Sequence, residues 1–425
     1  MKYIRGISIK NYRVLRDVSL GSVTPSPKPP DDTQLPFHTG DPLTPLTVVI
    51  GRNGYGKSTL CDAFGFIGDC LRSNTEHACT LRGCFDDVVS AGQNKQENRK
   101  LEFQILYDNI LYTLCIAADK YHVPYVYAET LSHINSSFNN SSSMNFFASC
   151  GEGKVVRADS NSNSNSSLNS NSNSDSESVS DIKLADPRRL VLSTLGNLNQ
   201  FPDIVKFRQF LDNWYLSYFK PDAARSTPLS GSQRHLNSNG NNLANVIQYW
   251  ENEHKERLDT LLDNILKPVL GITQIETKPT EDGRLLLRFF ESGNNRPFYA
   301  PQMSDGTLKL VAYMLLLGDP DPLPFICFEE PENGLYHKLL GTFIDEIRKH
   351  CIQNNGSQFF ITTHQPYLVD ALKPEEVWIL EKGNDGFAAV RRASEDTIVR
   401  NMVAEGIPLG ALWFSEYLDT FDTNN

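Results

Sequence analysis

The chain has no C-x-x-C pair and no clustered Cys/His spacing among its 8 cysteines (Cys61, Cys70, Cys79, Cys84, Cys115, Cys150, Cys327, Cys351), which argues against zinc and for reduced, mostly buried thiols. It has no apolar run long enough to span a bilayer and no charged-then-apolar leader before its first strand pattern. The expectation is a cytoplasmic protein with no membrane partner. Positive charge is in short supply, with 40 Lys and Arg against 51 Asp and Glu and a formal net charge of -11, which opposes unselective attraction to nucleic acid. Any such contact must be a local basic patch. Sustained heptads of a projecting coiled-coil arm are also missing. What remains is a globular composition over 425 residues, enough for one large core or two to three smaller ones.

The most informative stretch is Gly51-Arg52-Asn53-Gly54-Tyr55-Gly56-Lys57-Ser58-Thr59, which follows the apolar run Leu46-Thr47-Val48-Val49-Ile50 and precedes a helix-like Leu60-Cys61-Asp62-Ala63-Phe64. A buried strand ends at Ile50, glycines let the backbone curl with its N–H groups inward, and the next helix aims its positive N-terminus at the same point. That is a phosphate-binding loop. Lys57 is placed to reach the β- and γ-phosphates of a nucleotide, and the Ser58 hydroxyl to hold Mg²⁺. A plain Gly-rich turn would need chance to supply both glycines, the Lys, the Ser and the strand–helix context together.

Before this loop, residues 3–9 and 14–20 alternate as a hairpin, in which Lys2, Arg5, Lys10, Arg13 and Arg16 form either a solvated strand face or an edge that meets nucleic acid or a partner. Residues 21–45, rich in Pro, Asp and Thr, read as a loop. After it, Leu101-Glu102-Phe103-Gln104-Ile105-Leu106-Tyr107 and Leu111-Tyr112-Thr113-Leu114-Cys115-Ile116 read as a second hairpin, and Tyr125-Val126-Tyr127-Ala128 as a further strand. Residues 135–180 are Ser and Asn with hardly an apolar anchor, so a disordered, dispensable loop is expected there. Ile204, Phe207, Phe210, Leu211, Trp214 and Tyr218 recur at helical spacing, as do Leu243, Val246, Ile247, Trp250, Leu258, Leu261, Leu262, Ile265 and Leu266 on a longer helix.

The C-terminal half opens with a strand pair at residues 272–276 and 285–290. Met303-Ser304-Asp305-Gly306-Thr307-Leu308-Lys309 then begins a strongly apolar helix, with Ser304 as a natural N-cap. Pro324-Phe325-Ile326-Cys327-Phe328 is a buried strand running into Glu329-Glu330-Pro331-Glu332, which gathers carboxylates at a strand's C-terminal edge, where α/β sheets bind ligands. Such acids repel one another. A divalent metal would relieve the repulsion, and an ATPase needs one carboxylate for the metal and another to position water. A further strand, Gln358-Phe359-Phe360-Ile361-Thr362-Thr363, delivers His364 to the neighbouring edge, and residues 377–391 close as a hairpin.

Taken together, GRNGYGKST, SDGTLK, FEEPENGL and TTHQP resemble the ABC-type ATPase heads of the SMC/RecF-like group, in particular the stand-alone bacterial ATPases of the AAA-21 type. Relatives include the overcoming-lysogenisation-defect and Septu-type defence ATPases. The resemblance covers residues 1–115 and about 185–415. It implies an α/β fold, an ABC-type P-loop NTPase head with N-terminal antiparallel β-strands and a helical insertion. Its expected parts are a phosphate-loop lobe (1–130), a disordered Ser/Asn-rich insertion (131–187), a helical insertion (188–270) and a second lobe (271–425). It further implies ATP and Mg²⁺ at a head-to-head homodimer site, with Asn53, Gly54, Gly56, Lys57, Ser58 and Thr59 of one chain facing Ser304, Asp305 and Gly306 of the other. Glu329 falls at the metal position beside Ser58, Glu330 at the water-polarising position, Asn333-Gly334-Leu335 at the D-loop and His364 at the switch histidine. Lys57, Glu330 and His364 are thus the expected catalytic set. Met303, Gln365 and His337 depart from the commoner Leu, Ser and Pro without removing a group that the chemistry needs. The Q-loop glutamine is either Gln93 or Gln104. The biological expectation is a sensor or switch in anti-phage defence or DNA maintenance, with a separate effector such as a nuclease or toxin and with nucleic acid left open as a partner. The alternatives are a nucleic-acid-processing enzyme and, less favoured, a transporter's ATPase subunit. The roughly 60 residues after His364 carry no acidic cluster of the Toprim kind, so nuclease activity in this chain is not expected.

Overall fold

The computed structural model describes residues 3–23, 41–91, 99–134, 144–157, 178–294, 296–353, 356–415 and 417–419. The N-terminal pattern folds as expected: β1 (Ile4–Tyr12) and β2 (Leu15–Gly21) pair antiparallel across a turn in which Asn11 and Arg13 take positive φ. They join an eight-stranded antiparallel sheet with β4 (Leu101–Tyr107), β5 (Ile110–Ala118), β6 (Pro124–His133), β7 (Met144–Ser149), β8 (Glu152–Arg157) and β9 (Ser178–Lys183), in the order β2-β1-β4-β5-β6-β7-β8-β9. Its inner face is apolar. Ile7, Ile9, Phe103, Ile105, Tyr112, Leu114, Phe146 and Val155 point to the core at alternate positions, as period-2 burial requires.

This corrects the expectation that residues 131–187 are disordered, because β7, β8 and β9 are paired strands. Six-residue strands need little apolar sequence of their own when β6 supplies a ready row of hydrogen bonds, and burying Phe146, Ala148 and Val155 is enough to fix their register. Residues 135–143 and 158–177, which hold most of the Ser/Asn repeat, lie outside the described residues.

The second sheet is parallel apart from one edge strand, with order β10 (Trp214–Ser217), β14 (Phe325–Glu329), β15 (Gln358–Thr363), β3 (Leu46–Ile50), β16 (Val377–Lys382) and β17 (Ala388–Arg392). β14, β15, β3 and β16 are buried on both faces over most of their length, so they read as largely apolar runs rather than alternating ones. Phe325, Cys327 and Phe360 face the helix α1 (Lys57–Arg72), which lies between the two sheets, while Ile326, Phe328, Phe359 and Ile361 face a second core. That second core is covered by α3 (Leu243–Glu253), α4 (Asp305–Leu317) and α5 (Lys338–Cys351), and a small sheet of β11 (Ile272–Pro279), β12 (Leu285–Glu291) and β13 (Phe298–Tyr299) packs beside α3.

A second correction concerns Trp214 and Tyr218, expected on a helix. The helix α2 (Pro202–Asp212) stops at Asn213, and the chain turns into β10 at the edge of the parallel sheet. Trp214 packs on Phe64 and Phe325 in the first core while Tyr215 enters the second, a two-sided burial that only an extended strand provides. The stretch 188–270 is therefore not a purely helical insertion. Its expected long helix is also broken: α3 ends at His254, and the chain resumes as Lys255–Leu261 before a π-helical turn, Leu262–Leu266. Among the described residues no helix is long and apolar enough to cross a membrane, and the cysteines are free thiols, of which Cys84 and Cys150 are exposed.

Candidate functional site

The site forms where β3, β14 and β15 end side by side. After Ile50 the chain leaves the sheet, and Gly54 (φ 81°) and Gly56 (φ 109°) take backbone conformations that L side chains rarely adopt. At Gly56 a methyl group would also fall 2.9 Å from the Val14 side chain, so the loop needs glycine for conformation and for space. Gly56 caps α1, whose first residue, Lys57, is buried. Its Nζ donates to the carbonyls of Gly51 (2.8 Å) and Arg52 (3.3 Å) and lies 3.5 Å from Glu330 Oε1. Asn53, Gly54 and Ser58 are exposed and Thr59 is half-buried, so the loop's outer side faces solvent.

Glu330, the residue after β14, has φ 44°, an unusual value for a side chain of its size. Its N–H donates to Thr362 O (2.9 Å), which ties the turn to β15, and its carboxylate gathers three partners. His364 Nδ1 is 3.0 Å away, Asn333 Nδ2 donates at 3.0 Å, and Lys57 completes the set. Burial alone would raise the Glu330 pKa, but the bonds from Asn333 and His364 and the charges of His364 and Lys57 together hold it below the ordinary carboxylate value. It is kept ionised.

Glu332 is the neighbour to which the sequence assigned no role. Its Oε1 accepts from Thr363 Oγ1 (2.6 Å) and from the His364 N–H (3.4 Å), while the buried Oε2 has no hydrogen-bond partner among the described residues. Burial drives its pKa upward. It orients the end of β15, and Trp413 assists by donating its indole N–H to His364 O (3.2 Å). The Glu-x-Pro-Glu spacing was visible in the sequence. Trp413, 49 positions after His364, carried no signal.

The structure thus brings Lys57, Glu330 and His364 together. Glu329 ends β14 opposite Thr362, half-buried, and Ser58 is exposed on the first turn of α1; no hydrogen bond joins their side chains. Ser304, at the N-cap of α4, accepts from the Thr307 N–H (3.2 Å), and Asp305 pairs with Arg225, which also donates to Met303 O (2.9 Å). Neither bonds to the phosphate loop of its own chain. Gly306 instead packs on the 330–334 turn, where a methyl group would fall 2.2 Å from Gly334 O. Of the two Q-loop candidates, Gln104 donates to Glu102 within the eight-stranded sheet and makes no bond to Lys57, and Gln93 lies outside the described residues. The basic hairpin residues find acids in the chain: Lys10 with Glu102, Arg13 with Asp62 and Arg16 with Asp385.

Among the described residues no group of three or more His, Cys, Asp or Glu is arranged to hold a metal. An all-protein cage is what Mg²⁺ does not need, since it usually takes one or two protein oxygens and completes its shell with water and phosphate. The hard oxygen donors of Ser58 and Glu329 fit that requirement.

A parallel sheet with the phosphate loop after its central β3 strand and acidic and histidine residues at the neighbouring strand ends defines a P-loop NTPase fold. The family described as "AAA domain, putative AbiEii toxin, Type IV TA system" matches residues 46–370, and the chain belongs to it, as a P-loop NTPase with an AAA domain. Among solved structures, the crystal structure of the SmcHead bound to the C-winged helix domain of ScpA is similar at 14% identity, over 92% of this chain and 97% of that one, with a TM-score of 0.46. No curated protein matches the chain.

Proposed function

We propose that the chain binds Mg-ATP and hydrolyses it with water to ADP and phosphate. The carrying observation is the convergence of Lys57, Glu330 and His364, from three separate elements, within 3.5 Å of one carboxylate oxygen. Lys57, now bonded to two loop carbonyls, is the group that would turn to the phosphates. Ionised Glu330 would accept a hydrogen bond from the attacking water and orient it, and His364 holds that carboxylate in place. A magnesium ion held by Ser58 and Glu329 would neutralise charge on the phosphates. In this reading the site is completed by a second copy of the chain, because Ser304 and Gly306 stand at a helix N-terminus suited to an anion yet make no bond to their own phosphate loop. The biological role in this reading is that of a sensor or switch in anti-phage defence or DNA maintenance, acting with a separate effector; the family description itself names only a toxin of a type IV toxin–antitoxin system.

Two variants test the chemistry. Lys57→Ala is expected to abolish ATP binding, whereas Glu330→Gln keeps binding and lowers turnover by about a hundredfold or more, since charge at Glu330 serves the water and not the phosphate. Wild-type turnover in the Gln variant would mean that Glu330 does not orient the water.

A further inference from the structure

Lys309 is a buried lysine that the reaction does not use. It sits one turn into α4, 8% exposed, and no carboxylate lies within 4 Å of its ammonium among the described residues. Its Nζ instead donates to two backbone carbonyls, Asn333 O at 2.9 Å and Glu330 O at 3.4 Å. Burying an ammonium is costly, and a Met of similar length would fill the same space without that cost, so its two bonds need a reason beyond packing. Burial pushes the Lys309 pKa down, while Glu332 and Glu330 act against that. The carbonyls it holds belong to the turn in which Glu330 adopts positive φ and Asn333 binds the Glu330 carboxylate. The same helix grips this turn a second time through the close contact of Gly306 with Gly334 O.

We propose that Lys309 is a positioning residue for Glu330: by bonding the carbonyls at both ends of the 330–333 turn it fixes the backbone from which the water-orienting carboxylate projects. This rests on the reading of the site as an ATPase. A consequence is that α4 links Ser304 and Gly306 at its start to Glu330 through Lys309, so an event at the helix N-terminus is felt at the carboxylate of the same chain.

The test measures kcat and the ATP dissociation constant of full-length Lys309→Met and Lys309→Arg beside wild type, with thermal melting as the check of fold. Lys309→Met is expected to lower kcat about tenfold to a hundredfold with affinity within about threefold of wild type, because a displaced carboxylate affects the water and not phosphate binding. Lys309→Arg, which keeps charge and donors, should recover most of the lost rate. A Met variant with kcat within twofold of wild type, an equal loss of rate and affinity, or an Arg variant as slow as Met would overturn the proposal. If the Met variant does not melt cooperatively, Lys309→Gln is judged in its place by the same limits, and its failure to fold assigns Lys309 to the fold alone. A wild-type protein that binds ATP without hydrolysing it, or does neither, overturns the ATPase reading and this inference with it.

Discussion

At the scale of single residues, the structure separates carboxylates that are kept charged from those that burial discourages. Glu330 belongs to the first group and Glu129 to the second. Glu129, on β6, is fully buried and accepts hydrogen bonds from the Tyr112 hydroxyl and from the N–H groups of Val191 and Leu192, which begin a short helix. Desolvation outweighs these bonds and raises its pKa to about 7 from an ordinary value of 4.5. A carboxyl whose pKa is raised by folding favours the native state while it is protonated, so its contribution is whole below the unfolded value and is lost as pH rises through the folded one. Between pH 5 and 8 this amounts to about 2 to 3 kcal/mol. Glu129→Gln removes the titration. Its urea-unfolding free energy, subtracted from the wild-type value at each pH, should show wild type losing that amount over the interval. A difference that stays flat with pH would mean that Glu129 is not protonated on folding.

At the scale of elements, β7 and β8 show what a composition-based reading passes over. The pair turns through Cys150 and Gly151, both at positive φ (51° and 83°), the two-residue geometry whose twist suits a hairpin. The Gly in that turn was the available signal, hidden by the Ser and Asn around it. The expectation that residues 135–180 could be replaced without loss is withdrawn for β7, β8 and the N-terminal part of β9, which falls in that range. Phe146 is buried on the sheet's inner face and its neighbour Phe147 is 59% exposed on the outer one. Phe146→Ala should therefore cost about 3 kcal/mol or more, and Phe147→Ala about 0.5 kcal/mol or less, as read by denaturant melts. Equal effects would show that the strand is not seated in this register. Trp214 gives the complementary lesson. Its spacing from Phe207 and Phe210 suits a helix, yet the open edge of β14 recruits it into a strand, since tertiary pairing outweighs a local period.

At the scale of the whole molecule, the arrangement sets two requirements apart: one chain supplies Lys57 and Glu330 together, while Ser304 makes no bond to its own phosphate loop. If a second copy supplies the missing face, variants with different lesions should repair each other. Lys57→Ala and Ser304→Arg are each expected to be inactive alone, and an even mixture with free subunit exchange should regain about a quarter of the wild-type rate for sites that act independently, since about half of the dimers are mixed and each has one good site of two. No recovery, with subunit exchange confirmed by an independent label, would count against a site shared between copies. Light scattering of the Glu330→Gln protein in saturating Mg-ATP gives a direct check, since a shared site requires a dimer there.

Much of this was present in the residues themselves. The phosphate loop, the strand before it, the carboxylates after Phe328 and the histidine after Thr363 are each contiguous, and contiguous patterns declare their local structure through spacing, glycine and apolar runs. The residues alone therefore showed which elements carry Lys57, Glu330 and His364, and that an α/β sheet would place them at strand ends. The order of that sheet was decided only in three dimensions, with β3 lodged between β15 and β16 and an edge strand drawn from residue 214. So were the grip of Lys309 on the Glu330 turn, the bond from Trp413 to His364 and the burial of Glu129 beneath Val191. Such contacts join residues 21 to 62 positions apart, and no local period encodes them. They exist because packing two sheets around α1 brings distant polar groups into places without water, where each must find a partner that folding happens to set beside it.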